Sequence, residues 1–391
     1  MHIAHVLTRF LRAGSEENTL ETCRWQVSAG HEVTLIHGAD PDPYWDRHLP
    51  AGINRITVPQ LIHPAHPVWD YRAVRALRRV YKRIVPDVIH THQSKAGILG
   101  RLAATAVPDA VVAHGIHIVP FHGVKPTRRA IYLAAERRAA RRTDVFIGVS
   151  EAVGRSYVEA GIARRGRVHC VRSGMDLDQF RDATPPNDWR RLLDVPSGTK
   201  RPPVVLMMAA FEQRKRHIPF LRALAAQRSE LPDFKLLLAG RGPEEGRVRS
   251  EVGRLGLSDQ VVFCGHRRDP GALFSLADLS VLTSEREGLP RVAVQSIAAG
   301  CPMLVQDLPG IEEVIRHDRN GCITDPTDMP ATVREMGRML RTQDLLQRLC
   351  SGARETDLSA WSLTALGSRT TALYGLPVRR TARSSEFVEA A

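Results

Sequence analysis

The segment around Glu287 combines an acidic loop with the start of a helix, a pattern that suits the binding of a phosphorylated sugar. Glu287 follows the apolar run Leu279–Leu282, and Pro290 stands where a helix would begin. The backbone amides of Arg291 and Val292 would then lack intrahelical acceptors, and the helix dipole would favour a phosphate beside them. Glu287 could accept hydrogen bonds from sugar hydroxyls. A strand, loop and helix with merely solvated glutamates is the alternative.

Three further loops at the ends of apolar runs carry basic residues or glycine. Arg214 and Lys215 follow residues 204–209, and cations there could neutralise a diphosphate. The dipeptides Gly240-Arg241 and His266-Arg267 follow the next two apolar runs, and a glycine at such a place permits close approach of the backbone to a ligand. A solvated basic loop is the competing interpretation of each.

The N-terminal half places His92, Lys95, His114 and His117 after two successive apolar runs. A single histidine is more often a satisfied core or surface residue. Several histidines at the ends of neighbouring strands favour a site, because the carboxyl ends of parallel strands form the ligand-binding edge of a sheet.

Alternating strand and helix patterns supply the elements that would position these residues. Strands are predicted at residues 2–7, 31–37, 88–90, 110–114, 145–149 and 168–171, and again at 204–209, 235–239, 261–264, 279–282 and 303–306. Helical patterns lie between them, for example at 15–29, 70–84 and 127–142. Such alternation predicts parallel sheets covered on both faces, hence an α/β protein with two Rossmann-like, doubly wound domains facing a cleft.

The predicted boundaries follow changes in composition along the 391 residues. We expect an N-terminal domain at 1–180, a proline-rich linker at 181–203 and a second domain at 204–360. A C-terminal helix at 361–376 is expected to pack back on the first domain, followed by a disordered tail at 377–391.

The segment from Glu287 to Gln295 resembles the E-x7-E signature of the retaining GT-B glycosyltransferases of family 4. The resemblance implies that Glu287 contacts the donor sugar, that the intervening amides contact the sugar and phosphates, and that position 295 contacts the nucleotide ribose. This chain has Gln295 in place of the second Glu, which keeps a hydrogen-bond acceptor but loses the charge. The implied donor-binding residues of this segment are Glu287, Gly288, Leu289, Arg291, Val292 and Gln295.

Other parts of residues 1–375 are similar to the same family in the same order. The resemblance implies that the domain at 1–180 is the acceptor-side domain and that the domain at 204–360 binds the nucleotide sugar. Lys215 matches the family's diphosphate-binding Lys, while Ala210 stands where an Arg is usual, so Arg214 is expected to substitute. The Gly14 loop resembles the glycine loop that closes over the donor phosphates. The loops with Gly240, Arg241, His266 and Arg267 resemble those that hold the base.

The resemblance also implies a mechanism and a set of roles. His114 is the better match to the family's cleft-facing histidine and His117 the second choice, with His92 and Lys95 on the acceptor side. His114, Lys215 and Glu287 are the expected catalytic residues. The acceptor hydroxyl would attack on the face that the nucleotide leaves, with a UDP-sugar as the expected co-substrate, no cofactor and no metal requirement.

The net charge of +13 indicates an anionic partner. Two basic helical patterns, at 70–84 and 125–142, are either solvated faces or a surface that docks on anionic lipid headgroups, which would suit a glycan or lipid-linked acceptor. A nucleic-acid partner is disfavoured, because aromatic content is only 5% and no DNA- or RNA-binding motif is present. Scattered cysteines and a charged N-terminus predict a cytoplasmic protein, peripheral at most on the inner face of the cytoplasmic membrane.

Two other kinds of protein would have the same two lobes, and the sequence leaves both possible. A GT-B relative with different chemistry, such as a nucleotide-sugar epimerase or a phosphorylase, would have the same lobes. A non-catalytic scaffold would be consistent with Gln295 and Ala210. The order of the motifs favours a glycosyltransferase of surface-polysaccharide assembly.

Overall fold

The first lobe is built on a parallel sheet. The computed structural model describes residues 1–39 and 41–375. Within them this sheet has seven strands in the order β3-β2-β1-β4-β5-β6-β7. The strands are β1 (His2–Leu7), β2 (Glu32–His37), β3 (Ile53–Thr57), β4 (Val88–His92), β5 (Val111–Ile116), β6 (Val145–Gly148) and β7 (Val168–Cys170). Its central strands are buried on both faces, as their near-continuous apolar sequences require.

The second lobe repeats the design with a six-stranded parallel sheet in the described chain, in the order β10-β9-β8-β11-β12-β13. Its strands are β8 (Val204–Met208), β9 (Lys235–Ala239), β10 (Val261–Gly265), β11 (Leu279–Leu282), β12 (Met303–Gln306) and β13 (Gly321–Thr324). In both sheets the strand order reverses beside the first strand, which is where doubly wound folds bind ligands. The predicted fold class is confirmed.

Helices cover both faces of the two sheets. In the first lobe they are α1 (Gly14–Ser28), α2 (Trp45–His48), α3 (Pro67–Ile84), α4 (Ser94–Ala103), α5 (Pro126–Ala140) and α6 (Glu151–Glu159). Then come α7 (Asp178–Arg181), α8 (Trp189–Leu192), α9 (His217–Ala226), α10 (Glu245–Arg254), α11 (Pro270–Leu276), α12 (Arg291–Ala298), α13 (Met329–Arg341), α14 (Gln343–Arg354) and α15 (Leu363–Ala372). No helix of the described chain is long and apolar enough to cross a membrane.

A buried ion pair joins the helices α4 and α5. Arg101 and Glu136 are both fully buried, and Arg101 Nη2 lies 2.6 Å from Glu136 Oε2. Arg101 also donates from Nε to the carbonyl of Gly97 at 2.7 Å and from Nη1 to Thr143 Oγ1 at 3.3 Å. The guanidinium is therefore compensated inside the protein, which is the condition for burying a charge at tolerable cost.

The segment that connects the lobes is short and partly helical. Residues 181–203 contain α8, and Leu193 beside that helix is buried in a cluster shared by both lobes. After α14 the chain returns to the first lobe, where α15 packs on α1. Gly367 of α15 lies so close to Trp25 that a Cβ there would be 2.1 Å from the indole Cγ. The residues expected to form the tail, 377–391, and residue 376 lie outside the described residues.

Candidate active site

Two loops of the second lobe come together at the carboxyl ends of adjacent strands β8 and β11. The loop after β8 ends in a short 3-10 turn, Gln213–Lys215, and the loop after β11 carries Glu287. The amide of Glu285 donates to the carbonyl of Arg214 at 2.8 Å, and Thr283 Oγ1 donates to the carbonyl of Lys215 at 3.0 Å. These bonds hold the acidic loop against the basic one.

Glu287 lies between the two predicted diphosphate-binding cations. Its Oε1 accepts from Arg214 Nη1 at 3.0 Å and from Lys215 Nζ, and the carboxylate side chain is only 12% exposed. Burial alone would raise the pKa of Glu287, but the charges of Lys215 and Arg214 and their hydrogen bonds hold it below its usual value. Burial would likewise lower the pKa of Arg214, and the carboxylates of Glu287 and Glu212 hold it above its usual value. Glu287 and Arg214 are therefore both charged at neutral pH.

Helix α12 begins at Arg291, with Pro290 as its N-cap residue in an extended conformation. The amides of Arg291 and Val292 are therefore at the first two helical positions, where no intrahelical acceptor exists. Val292 and Gln295 are half-buried on this helix, while the side chain of Leu289 is 7% exposed and packs in the core. Only the backbone of Leu289 is therefore available to bind a ligand.

The side chain of Arg291 reaches across to the first lobe. Its Nη1 donates to the carbonyl of Gly174 at 3.1 Å, and its Nη2 lies 3.7 Å from Glu17 Oε2 on α1. Gly14, the first residue of α1, has the Arg291 side chain beside it: a Cβ at position 14 would stand 3.1 Å from Arg291 Cδ. The glycine loop and the α12 N-terminus are therefore neighbours, as their shared expected role at the donor phosphates requires.

The loops expected to hold the base lie after β9 and β10. Gly240 has a φ of 155°, and a Cβ there would be 2.1 Å from the carbonyl oxygen of Ala209, so only glycine fits. Arg241 and His266 are exposed, and His266 Nε2 lies 3.1 Å from Arg12 Nη2 of the first lobe. Arg267 is bound in a two-pronged ion pair by Asp269, at 2.8 and 2.6 Å. Of the two cations predicted to hold the base, Arg267 is therefore bound to Asp269, whereas Arg241 is not bound to that carboxylate.

The structure places the two candidate histidines differently: His114 lies within β5 and His117 follows it. His114, expected to face the cleft, is 2% exposed and lies on the other face of the sheet, with its Nδ1 3.0 Å from Thr91 Oγ1 and α4 above it. A Cβ on Gly97 of α4 would be 2.5 Å from His114 Cε1. His117 is half-buried and adjoins the acidic loop, since a Cβ on Gly288 would be 1.8 Å from its carbonyl oxygen. Of the two histidines, His117 is therefore the one beside the acidic loop.

The two remaining acceptor-side candidates are engaged within the first lobe. His92 is 2% exposed and bonded to other histidines, with its Nδ1 3.1 Å from His117 Nε2. Lys95 forms an ion pair with Asp70 Oδ1 of α3 at 2.6 Å, and its Nζ also donates to the carbonyl of Pro64. Neither side chain is free to bind an acceptor in this conformation, so both would act by shaping the first lobe.

Sequence reasoning missed the polar contacts that join the lobes. Arg286 donates to the carbonyl of His122 at 2.8 Å, and Glu313 accepts from Arg172 Nη2 at 3.0 Å and from the amide of Glu151 at 2.8 Å. Burial raises the pKa of Glu313 in spite of the Arg172 charge. The partners in each contact are more than a hundred residues apart in the chain, and no local pattern marks them.

The comparisons with known proteins agree with this geometry. A family model described as Glycosyltransferase Family 4 matches residues 12–179, and one described as Glycosyl transferases group 1 matches residues 193–356. The two matches correspond to the two lobes and are separated by residues 180–192.

Relatives span nearly the whole chain. A candidate glycosyltransferase of Bacillus subtilis, EpsD, is 27% identical over 346 residues, covering 86% of this chain and 87% of its own. The UDP-Gal:alpha-D-GlcNAc-diphosphoundecaprenol alpha-1,3-galactosyltransferase of Escherichia coli is 23% identical over 342 residues, with the same coverage of 86% and 87%. The crystal structure of Anabaena HepE with UDP-glucose is similar with a TM-score of 0.76 at 19% identity, covering 95% of this chain and 98% of that one.

Proposed function

The chain belongs to the group 1 glycosyltransferases of family 4, and we propose that it transfers a sugar from a UDP-sugar to a glycan or lipid-linked acceptor with retention of configuration. Membership makes it a nucleotide-sugar-dependent glycosyltransferase of the hexosyltransferase type. The choice of UDP is supported by a relative that carries UDP-galactose in its name and by HepE, which has the same fold and binds UDP-glucose. Surface-polysaccharide assembly is the process we propose.

The observation that carries the proposal is the pairing of Glu287 with Arg214 and Lys215 in front of the α12 amides. Two cations converge on one carboxylate oxygen, at 3.0 Å in the case of Arg214. A diphosphate brought to the helix N-terminus would add negative charge within reach of the same cations. Glu287 would then be released toward the hydroxyls of the sugar. Arg214 and Lys215 are thus already positioned to bind the diphosphate in place of the Glu287 carboxylate.

The reaction follows from that exchange. The acceptor oxygen bonds to the anomeric carbon on the face that the nucleotide leaves, and the bond from that carbon to the phosphate oxygen breaks. The departing phosphate oxygen takes the proton of the acceptor hydroxyl. Lys215, Arg214 and the amides of Arg291 and Val292 stabilise the charge that develops on the leaving diphosphate. These groups do what a divalent cation does in other transferases, so we propose that no metal is needed.

Helices α3 and α5 of the first lobe supply the proposed membrane-facing surface. Arg72, Arg75 and Arg79 of α3 and Arg128, Arg129, Arg137 and Arg138 of α5 are exposed. Tyr71 and Ile131 are exposed among them, at 63% and 69%. A groove of about 660 Å³ runs between the helices, lined by Arg78, Arg138 and Arg141 and by apolar Val74 and Leu99. Basic side chains around exposed apolar ones suit the headgroup region of an anionic membrane.

A thermal-shift titration with UDP, GDP, ADP and their sugar conjugates tests the donor site. A ligand at a hundred times its dissociation constant stabilises the folded state by about 2.7 kcal/mol, which raises the melting temperature clearly. We expect UDP and UDP-sugars to stabilise the wild type and to lose this effect in Lys215→Ala.

Lys235→Ala is the matched control, because Lys235 stands at the amino end of β9, where its Nζ donates to the carbonyl of Asp259. The control should respond like the wild type. A wild type that no nucleotide stabilises would contradict the proposal and favour a scaffold without catalytic activity.

A further inference from the structure

Four histidines lie on one face of the first sheet, next to one another. His5 is on β1, His90 and His92 are on β4, and His117 follows β5 by one residue. Strand register places His5 beside His90 and His92 beside Gly115. A Cβ at position 115 would stand 2.8 Å from His92 Nδ1 and 3.2 Å from His90 Nε2, so the missing side chain makes room for the rings.

Three of these histidines form a hydrogen-bonded series that starts at the cleft and ends at Gln26 of α1. His117 Nε2 lies 3.1 Å from His92 Nδ1, and His92 Nε2 lies 2.9 Å from His5 Nδ1. His5 Nε2 then lies 2.8 Å from Gln26 Oε1. We call His117, His92, His5 and Gln26 the histidine chain. His5 and Gln26 are fully buried, so no solvent competes for these bonds.

Burial keeps every ring of the histidine chain neutral. It lowers the pKa of His5 and of His117 to about 4, and the pKa of His92 falls well below its usual value. A neutral imidazole has one N–H and one bare nitrogen, so each ring donates on one side and accepts on the other.

The amide oxygen of Gln26 fixes the direction of all three bonds. This oxygen can only accept, so His5 carries its hydrogen on Nε2 and has a bare Nδ1. His92 must therefore donate from Nε2 to His5 and accept at Nδ1. His117 must in turn donate from Nε2 to His92, which leaves His117 Nδ1 bare.

The orientation of Gln26 is set from the C-terminal end of the chain. Gln26 Nε2 lies 3.2 Å from the hydroxyl of Tyr374 and 3.3 Å from Thr371 Oγ1. The phenol oxygen of Tyr374 has two lone pairs, so it can accept from the Gln26 amide while it also lies 2.8 Å from His90 Nδ1. The amide nitrogen therefore faces the two hydroxyls and the amide oxygen faces His5.

His117 is where the histidine chain meets the cleft. Its carbonyl adjoins Gly288 of the acidic loop. Burial and, secondarily, the positive charge of Arg291 lower the pKa of its ring. Within residues 1–39 and 41–375 its Nδ1 makes no hydrogen bond. We propose that Gln26, His5 and His92 are positioning residues that hold His117 with the hydrogen on Nε2, so that Nδ1 accepts a hydrogen bond from a sugar hydroxyl. The identity of that ligand rests on the proposed function; the tautomer does not.

Removing the Gln26 amide oxygen, the acceptor at one end of the histidine chain, should reverse the direction of its hydrogen bonds. In Gln26→Leu, His5 Nε2–H would face an apolar side chain, and a buried donor without a partner is costly. The lower-energy arrangement moves the hydrogens of His5, His92 and His117 to their Nδ1 atoms. His117 would then present a donor to the cleft instead of an acceptor.

Long-range 1H–15N correlation spectra of the full chain, labelled with 15N-histidine, report the tautomer of each ring. We expect the Nε2–H form at His117 in the wild type and the Nδ1–H form in Gln26→Leu. His5→Phe removes the acceptor for His92 and should give the same reversal. Thr371→Val is the matched control, because Thr371 touches Gln26 but is not in the series, and it should keep the wild-type pattern.

The wild-type spectrum decides the proposal even where a variant fails to fold. An Nδ1–H tautomer at His117 in the wild type would overturn it. So would a stoichiometric metal ion whose removal changes these signals, since His5, His90 and His92 each bring a ring nitrogen within 4.8 Å of the others.

Kinetics separate a positioning role from a purely structural one. Since the nucleotide is held by the second lobe, UDP should bind Gln26→Leu as it binds the wild type. We expect kcat/KM for transfer to fall by roughly tenfold to a hundredfold, the effect of presenting a donor where an acceptor is needed. Unchanged kcat/KM together with a reversed tautomer would refute the role of His117 Nδ1. Absent UDP binding in the wild type would instead count against the proposed function.

Discussion

Replacing Gly288 with alanine should separate nucleotide binding from sugar transfer. A Cβ at position 288 would stand 1.8 Å from the carbonyl oxygen of His117, whereas carbon–oxygen contacts of this kind are about 3.3 Å. The acidic loop or the first lobe must therefore move by about 1.5 Å. A displacement of about 1 Å at a reacting centre can cost a hundredfold in rate, so we expect kcat/KM to fall at least about a hundredfold.

The assay compares transfer from a radiolabelled UDP-sugar with the dissociation constant for UDP measured by calorimetry. UDP affinity should fall much less than transfer, because the clash does not involve the loops after β9 and β10 that are expected to hold the base. Gly253→Ala in α10 is the matched control, since a Cβ there meets nothing within 4 Å. A folded Gly288→Ala protein with wild-type transfer would refute the inference that this close approach of the lobes is needed for turnover.

Three further outcomes are expected. Glu136→Ala leaves the buried Arg101 guanidinium unpaired and should lower the free energy of unfolding, measured by denaturant titration, by about 3–5 kcal/mol. The control Glu159→Ala, at an exposed position, should change it by no more than about 0.5 kcal/mol. A loss under about 1 kcal/mol in Glu136→Ala would contradict the view that this ion pair compensates the buried charge. Transfer should survive excess EDTA, and complete loss on chelation would show a metal requirement. Arg75→Glu with Arg79→Glu should weaken co-sedimentation with anionic liposomes by at least about fivefold per residue, while a wild type that does not sediment at low salt would exclude this surface.

The sequence predicts eleven of the thirteen strands of the described chain, including two that lie at the end of a sheet. The predicted strands agree with β1, β9, β11 and β12 at both ends, because buried parallel strands are continuous apolar runs. Strands β3 and β13 were not predicted. Both are at the end of their sheet, but so are β7 and β10, which were predicted to within one residue. In β3 the polar residues Asn54 and Arg55 interrupt the apolar run, and β13 begins with Gly321. A short strand that contains polar residues or glycine lacks the continuous apolar run by which the other strands were recognised.

The candidate site was predictable as a set of loops but not in its internal pairing. The motif around Glu287 and the cation Lys215 are adjacent in the structure, as strand-end positions imply. The preference for His114 over His117 stays a prediction. Both faces of the central strand β5 are buried, so the sequence does not show which of the two histidines lies beside the acidic loop. His5 and Gln26 were missed altogether. A histidine inside an apolar strand was the available signal for His5.

The central claim is tested most directly by the stereochemistry and the residue dependence of sugar transfer. The chain is incubated with a UDP-sugar of known α configuration and a lipid-linked glycan, and the new linkage is assigned by NMR. The account predicts an α linkage, released UDP in equal amount, loss of product in Lys215→Ala and normal product in Lys235→Ala. A β linkage, or transfer that persists in Lys215→Ala, would contradict it.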